Sequence, residues 1–143
     1  MECKFNENLP EPELITKSRR ILNIIQAVLI GFRVIIILFY GILSTMGADI
    51  GEEPLKLLIE IGVISIFLDI IKSGKKQIAI LPLLGGIKSI VEVFSLSDSS
   101  IIVIFMSCYL AVMGFFQILS MGYILFSKKI EFYCNYVLYN KNN

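Results

Sequence analysis

Four long runs of apolar residues, separated by short polar segments, dominate the pattern along the chain. The runs cover residues 21–46, 55–71, 78–96 and 101–126. An α-helix needs roughly 20 apolar residues to cross the hydrocarbon core of a bilayer, and the second run lies at the lower limit of the usual range. The pattern predicts an all-α integral membrane protein with four transmembrane helices.

The segments around these runs define the expected organisation. The connections are so short that consecutive spans must be antiparallel neighbours, which predicts an up-down four-helix bundle over residues 21–126. Residues 1–20 and 127–143 are too short to fold alone. We expect the first to be a cytoplasmic N-terminal segment. The second has several aromatic rings and is expected to lie as a cytoplasmic tail at the membrane interface.

The polar segments that flank the apolar runs are alternately rich in basic residues and free of them. This alternation sets the expected orientation in the membrane. Residues 47–54 and 97–100 contain acidic residues but no lysine or arginine. The other flanks are basic, with Lys4, Lys17, Arg19, Arg20, Lys72, Lys75, Lys76, Lys128, Lys129 and Lys141. Because cytoplasmic loops of membrane proteins are enriched in lysine and arginine, both termini are predicted to be cytoplasmic.

Composition agrees with a membrane location. The chain is 56% hydrophobic and 17% charged, whereas soluble domains are roughly 45–50% apolar and about 25% charged. The bilayer is therefore the expected partner of the outer surface. A net charge of +1 gives no reason to expect a nucleic-acid partner. We place the protein in a bacterial cytoplasmic membrane, on its compactness and short loops.

The residue inventory offers little for catalysis. There is no histidine, and the three cysteines, Cys3, Cys108 and Cys134, form no CxxC motif. Structural zinc sites and nucleophile–base pairs depend on such residues. We therefore expect no metal, no cofactor and no enzymatic activity.

Four ionisable residues fall within the predicted spans and are the candidate binding site: Arg33, Glu60, Lys88 and Glu92. A charge near the middle of a bilayer costs roughly 2.5–3.5 kcal/mol even on insertion scales, so these side chains should face protein or water. At about 1.5 Å per residue, Arg33 and Lys88 lie roughly 18 and 15 Å from the cytoplasmic ends of their spans. Glu60 and Glu92 lie only about 6–8 Å from the outer ends. Since long basic side chains can extend outward, the two cations are expected to meet the two anions in a buried neutral cluster.

Uncharged polar residues and glycine mark the helix faces that are expected to point inward. The predicted helix-packing residues are Gln26, Tyr40, Gly114 and Gln117. Small residues let helix backbones approach closely, and polar side chains bridge helices in membranes. The stripes that carry them are predicted to meet at the bundle axis, with Gln26 and Gln117 in the inner half.

The sequence leaves the role of the charges open between three interpretations. They could lock the register of the helices, line an outward-opening cavity for an ion or small charged solute, or complete a contact with another membrane protein. We expect a small polytopic, non-enzymatic interaction protein, such as an accessory, immunity or regulatory subunit. The alternative is an oligomeric transporter or channel for ions or small solutes. The partner would be another membrane protein or further copies of the chain.

Overall fold

All regular secondary structure in the computed structural model, which describes residues 12–47, 51–95 and 101–142, is helical. The predicted all-α class is thus confirmed. A short 3₁₀ turn, Lys76–Ala79, precedes the third of five α-helices. The helices are α1 (Pro12–Thr45), α2 (Glu53–Lys72), α3 (Ile80–Ser95), α4 (Ile101–Phe126) and α5 (Lys128–Asn142).

Proline and glycine set several helix ends. Pro12 begins α1 and Pro54 lies in the first turn of α2, where the missing N–H of proline has no helical partner to lose. Gly47 follows α1 with φ +83°, and Gly74 follows α2 with φ +107°. Glycine adopts this left-handed conformation readily, so both residues are suited to the position just after a helix.

Within the described residues, three helical stretches are long and apolar enough to cross a membrane: Glu13–Thr45, Lys76–Phe94 and Ile104–Phe126. These findings support a membrane protein. The remaining long helix, α2, is more polar, because every 18-residue stretch of it contains Lys56, Glu60 and Asp69. The four-span bundle with two cytoplasmic termini stays a prediction.

The helices pack as two hairpins, α1 with α2 and α3 with α4, and α1 also contacts α4. The buried apolar cluster lies toward the end of the molecule where α1 starts and α2 and α4 finish. We call this end the basic end. The cluster consists of Leu22, Ile25, Leu29, Ile64, Leu68, Ile71, Ala79, Met121, Ile124, Ile130, Tyr133 and Cys134.

The outer surface is strongly apolar. Large side chains such as Ile35, Leu38, Ile59 and Phe115 are all between 59 and 63% exposed. Soluble monomers rarely expose contiguous apolar surface of this kind. A lipid environment removes the cost, since hydrocarbon chains solvate these side chains as well as a protein core does.

The C-terminal tail forms α5, which packs across the basic end. Ser18 of α1 donates a hydrogen bond to the carbonyl of Lys129 over 3.3 Å, and Lys76 lies 2.9 Å from Glu131. The ammonium group of Lys76 lowers the pKa of the Glu131 carboxyl group. The Tyr133 hydroxyl donates to the carbonyl of Lys72 over 3.3 Å. These contacts attach α5 to α1, to the end of α2 and to the turn that follows it.

Most basic residues gather on the elements of the basic end. They are Lys17, Arg19, Arg20, Lys72, Lys75, Lys76, Lys128, Lys129 and Lys141. At the opposite end, where α1 finishes and α2 starts, Lys56 lies among the acidic residues Glu52 and Glu53. The folded chain is therefore electrostatically polarised along its long axis.

Candidate functional site: a charged cleft between α2 and α3

A cavity of about 680 Å³ lies between the two hairpins, with walls from α1, α2, α3 and α4. Helices α2 and α3 have almost no direct contact with each other. Helix α2 packs against the 3₁₀ turn that precedes α3. We call this cavity the cleft. Among the residues that the structure describes, its charged lining consists of Arg33, Glu53, Lys56, Glu60, Lys88 and Glu92.

Arg33 lies at the wall of the cleft formed by α1, and its side chain joins three helices. The Nε donates to the Glu60 carboxylate of α2 over 3.1 Å, and Nη2 donates to the Gln117 side-chain oxygen of α4 over 2.9 Å. The Nη1 donates to the carbonyl of Leu29, one turn back in α1, over 3.1 Å. Arg33 is only 2% exposed, so these acceptors replace water around a charge that cannot be removed by deprotonation.

Gln117 carries the connection on to α3. Its side-chain nitrogen donates to the carbonyl of Pro82. Gly85, one turn along α3, makes room for this amide, since a Cβ there would lie 3.2 Å from the Gln117 nitrogen. Arg33, Glu60, Gln117 and the carbonyls of Leu29 and Pro82 thus form one hydrogen-bonded network across four helices. We call it the Arg33 network.

Two glycines bring α3 and α4 together beside this network. A Cβ on Gly114 would lie 2.8 Å from the carbonyl oxygen of Gly86, and a Cβ on Gly86 would lie 3.0 Å from the carbonyl oxygen of Gly114. Real Cβ atoms essentially never approach another heavy atom to 2.8 Å. Gly114, chosen from the sequence as a packing position, lies at this close crossing, and Gly86 is its counterpart.

Lys88 and Glu92 form a second ion pair, separate from Arg33 and Glu60. They lie 3.4 Å apart on consecutive turns of α3. Their side chains are 77 and 50% exposed, so the single buried cluster of four charges expected from the sequence is two pairs in the structure. The reason lies in Gly86: it faces α4, and Lys88, two residues later, is turned about 200° around the helix, away from α4.

The open end of the cleft has a third ion pair. Lys56 lies 2.6 Å from Glu53 within the first turns of α2. Tyr40, another predicted packing residue, lines the cleft here from α1 and is partly buried. Counting Arg33 with Glu60, the described lining residues include three positive and three negative groups, so their formal charges sum to zero.

Gln26 belongs to another part of the molecule. Its side-chain oxygen accepts a hydrogen bond from Lys72 at the basic end. Lys72 also lies 3.8 Å from Asp69, one turn back in α2. Gln26 thus connects α1 to α2 between the cleft and the basic end, and it does not line the cleft.

Sequence reasoning missed Tyr109. This residue lines the cleft, and its hydroxyl donates to the carbonyl of Phe32 in α1. The signal was a four-residue spacing, because Tyr109, Met113 and Gln117 lie on one face of α4 and all three line the cleft.

The chemistry of the cleft is that of balanced charges. Among the described residues, no group of three or more histidine, cysteine or acidic side chains could hold a metal ion. Each of the three lysine or arginine groups in the lining lies beside a carboxylate. Such a lining suits an occupant that presents groups of both signs better than it suits a single ion.

Comparison of the chain with protein-family models, with curated proteins and with solved structures finds no match. Function is therefore argued from the cleft and its surroundings.

Proposed function

We propose that the chain is a multi-pass protein of a bacterial cytoplasmic membrane, with four spans and both termini in the cytoplasm. Support comes from the basic end, which holds the start of α1, the turn after α2 and all of α5. Lysine and arginine concentrate on the cytoplasmic side of membrane proteins. This orientation places the opposite end, with Glu52 and Glu53, outside and the open part of the cleft in the outer half of the membrane.

The proposal includes α2 as a span despite its charges. Lys56 lies near the outer end and pairs with Glu53, while Asp69 lies near the basic end beside Lys72. Side chains near the ends of a span can extend toward the head groups. Of the charged residues of α2, only Glu60 then lies within the hydrocarbon region, where the Arg33 guanidinium compensates its charge.

We propose further that the protein is a non-enzymatic interaction protein, of the accessory, immunity or regulatory kind, and that another membrane-embedded chain occupies the cleft. The observation that carries this proposal is the sideways opening between α2 and α3, which leaves Lys88 77% exposed among apolar surfaces. A lysine facing lipid at this depth costs roughly 2.5–3.5 kcal/mol. A protein chain in the opening would exclude lipid and supply polar partners.

The bonding of the lining residues supports a role in recognition over one in catalysis. Lys88 is paired with Glu92, and Glu60 with Arg33. The Ser89 hydroxyl donates to the carbonyl of Gly85 in its own helix over 3.2 Å. A catalytic centre needs a nucleophile and a base within reach of each other, and these five lining residues are held in other contacts.

Photo-cross-linking in the native host tests this proposal. A benzoylphenylalanine at Ser89, which lines the cleft, is expected to give a cross-linked product larger than the single chain. The matched control is Phe115, 59% exposed on α4 and not part of the lining; it is expected to give mainly lipid adducts. Absence of any protein product from Ser89 and from Leu57, a second lining position on α2, would overturn the proposal.

A transporter or channel is the second candidate, favoured by the size and polarity of the cleft. Its volume of about 680 Å³ falls within the range of roughly 300–1,000 Å³ that is typical of small-molecule sites. Purified protein in liposomes should then conduct ions or small charged solutes, and the double variant Glu60→Gln/Glu92→Gln should abolish the flux. Glu131→Gln, at the basic end, is the control. Flux that survives the double variant argues against this candidate.

A further inference from the structure

We infer that the chain in the cleft is a second copy of the same protein, related to the first by a twofold axis along the membrane normal. This inference rests on the proposed function, since it names the partner at the site proposed above. The cleft would then be an isologous interface, in which the same surface of each copy faces the other.

The charge balance of the lining favours a second copy. An isologous interface must be complementary to itself, so it needs both signs in equal measure. The described lining residues meet this condition, with Arg33, Lys56 and Lys88 against Glu53, Glu60 and Glu92. A partner with one dominant charge would find no complementary field here, whereas a second copy presents a matching set.

Depth in the membrane adds a geometric reason. A twofold axis along the membrane normal brings each residue beside residues at its own depth in the other copy. Lys88 and Glu92 differ by one turn, about 6 Å along the helix, and a lysine side chain can extend that far toward the outside. Lys88 of each copy can therefore reach the partner's Glu92 while its own Glu92 stays close.

Apolar surface beside the charges provides the packing that such a contact needs. Val63 of α2 and Leu81 of α3 line the cleft from opposite sides and are 44 and 48% exposed. Membrane helices associate through close packing together with polar contacts, because lipid gives apolar side chains no reason to leave it. Polar pairs within an apolar frame thus suit a specific contact between copies.

Energy transfer between two fluorescently tagged populations of the full-length chain, in lipid nanodiscs or vesicles at low protein-to-lipid ratio, tests the inference. Wild-type copies are expected to associate. Lys88→Glu alone and Glu92→Lys alone are each expected to weaken association at least about tenfold, since like charges then face each other at both contacts. A mixture of one Lys88→Glu copy with one Glu92→Lys copy restores opposite charges at both contacts and is expected to recover association.

Lys129→Glu, a charge reversal at an exposed position of α5, is the control and should leave association unchanged. The inference is overturned if wild-type copies do not associate, or if Lys88→Glu copies associate as well as wild type. If the charge reversals do not fold, the photo-cross-linked product from Ser89 decides: a product made of two copies of the chain supports the inference, and a product with a different protein overturns it. A cross-link from Ser89 to a different protein, without self-association, would refute the second copy and leave the proposed function standing. A cleft that cross-links to no chain would refute both.

Discussion

Arg33 shows at the scale of one residue how a permanent charge is held within an apolar protein. Its guanidinium group is always protonated, so burial must be balanced by acceptors. The structure supplies a carboxylate, a side-chain amide and a backbone carbonyl, each within 3.1 Å. Because these acceptors belong to three helices, one side chain fixes the relative positions of α1, α2 and α4.

Replacing Arg33 should therefore destabilise the fold more than replacing Lys88. Arg33→Gln removes charge-assisted hydrogen bonds that are worth about 1.5–3 kcal/mol, with the lower part of that range expected because Glu60 is half-exposed. Lys88→Gln removes a pair whose side chains are 77 and 50% exposed. In detergent solution, where water reaches this pair, the change should cost within about 0.5 kcal/mol. Thermal unfolding in a mild detergent measures both. Equal losses of stability in the two variants would contradict the importance of the Arg33 network.

Cys134 illustrates burial outside the proposed spans. The thiol is 1% exposed, and its Sγ lies 3.5 Å from the carbonyl of Ile71 as a hydrogen-bond donor. Burial raises the pKa of this thiol to about 11. The thiolate is the reactive form, so Cys134 should react slowly at neutral pH while α5 stays packed.

The rate of alkylation at pH 8 tests the packing of α5. In a variant with Cys3 and Cys108 replaced by serine, Cys134 should react with iodoacetamide at least about a hundredfold more slowly in the folded protein than in SDS, because both burial and the raised pKa act against it. Comparable rates in the two conditions would show that α5 does not hold its position against α2.

At the scale of helices, close contact between α3 and α4 depends on Gly86 and Gly114. Gly114→Ala forces a Cβ against the backbone of α3 and should cost about 1–3 kcal/mol, as overpacking commonly does. Gly31→Ala is the matched control, since nothing lies within 4 Å of its Cβ position. That change should be neutral or stabilising by up to about 1 kcal/mol through helix propensity. Melting temperatures that fall equally for both variants would contradict the close crossing.

Helix α2 decides the number of spans. If it crosses the membrane, Glu52 and Lys75 lie on opposite sides. In a background without native cysteines, Glu52→Cys should react with a membrane-impermeant maleimide in intact cells, and Lys75→Cys only after permeabilisation. Labelling of both residues from one side would show that α2 does not cross, and the prediction of two cytoplasmic termini would fail with it.

The sequence predicts helix positions better than helix contacts. Pro12, Gly47 and Gly74 define helix ends through backbone geometry that each residue imposes locally. The contact between Arg33 and Glu60 could be predicted from their depths along the spans, because depth follows from the rise per residue. The orientation of Lys88 could not be predicted, since it depends on which face of α3 packs against α4. The close approach of Gly86 to Gly114 determines that face.

The packing of α5 against the other helices could not be predicted from the sequence either. Its aromatic residues suit a membrane interface as well as a protein contact, and nothing local distinguishes the two. In the structure Tyr133 is 5% exposed and packed into the apolar cluster, whereas Tyr139 is 54% exposed. Tertiary contact with Gly74, where a Cβ would lie 2.5 Å from Leu138, determines which face of α5 turns inward.

The whole molecule combines a packed half with an open half. Toward the basic end, apolar side chains from α1, α2, α4 and α5 form one cluster. Away from it, α2 and α3 separate and the cleft begins, with the Arg33 network where the two halves meet. This division allows the packed half to hold the fold while the open half remains available to another chain.

The central claim is that lipid surrounds the apolar exterior while another protein chain shields the cleft lining from lipid. Nitroxide labels at Ile87 and Ser89 test it most directly, because the two residues lie at nearly the same depth on α3. Ile87 is 42% exposed and outside the lining, whereas Ser89 is part of it. In vesicles, oxygen dissolved in lipid should relax the label at Ile87 strongly and a water-soluble nickel chelate should not, while the label at Ser89 should show much less contact with oxygen. Equal oxygen contact at both positions, or ready contact of Ile87 with the nickel chelate, would contradict the account.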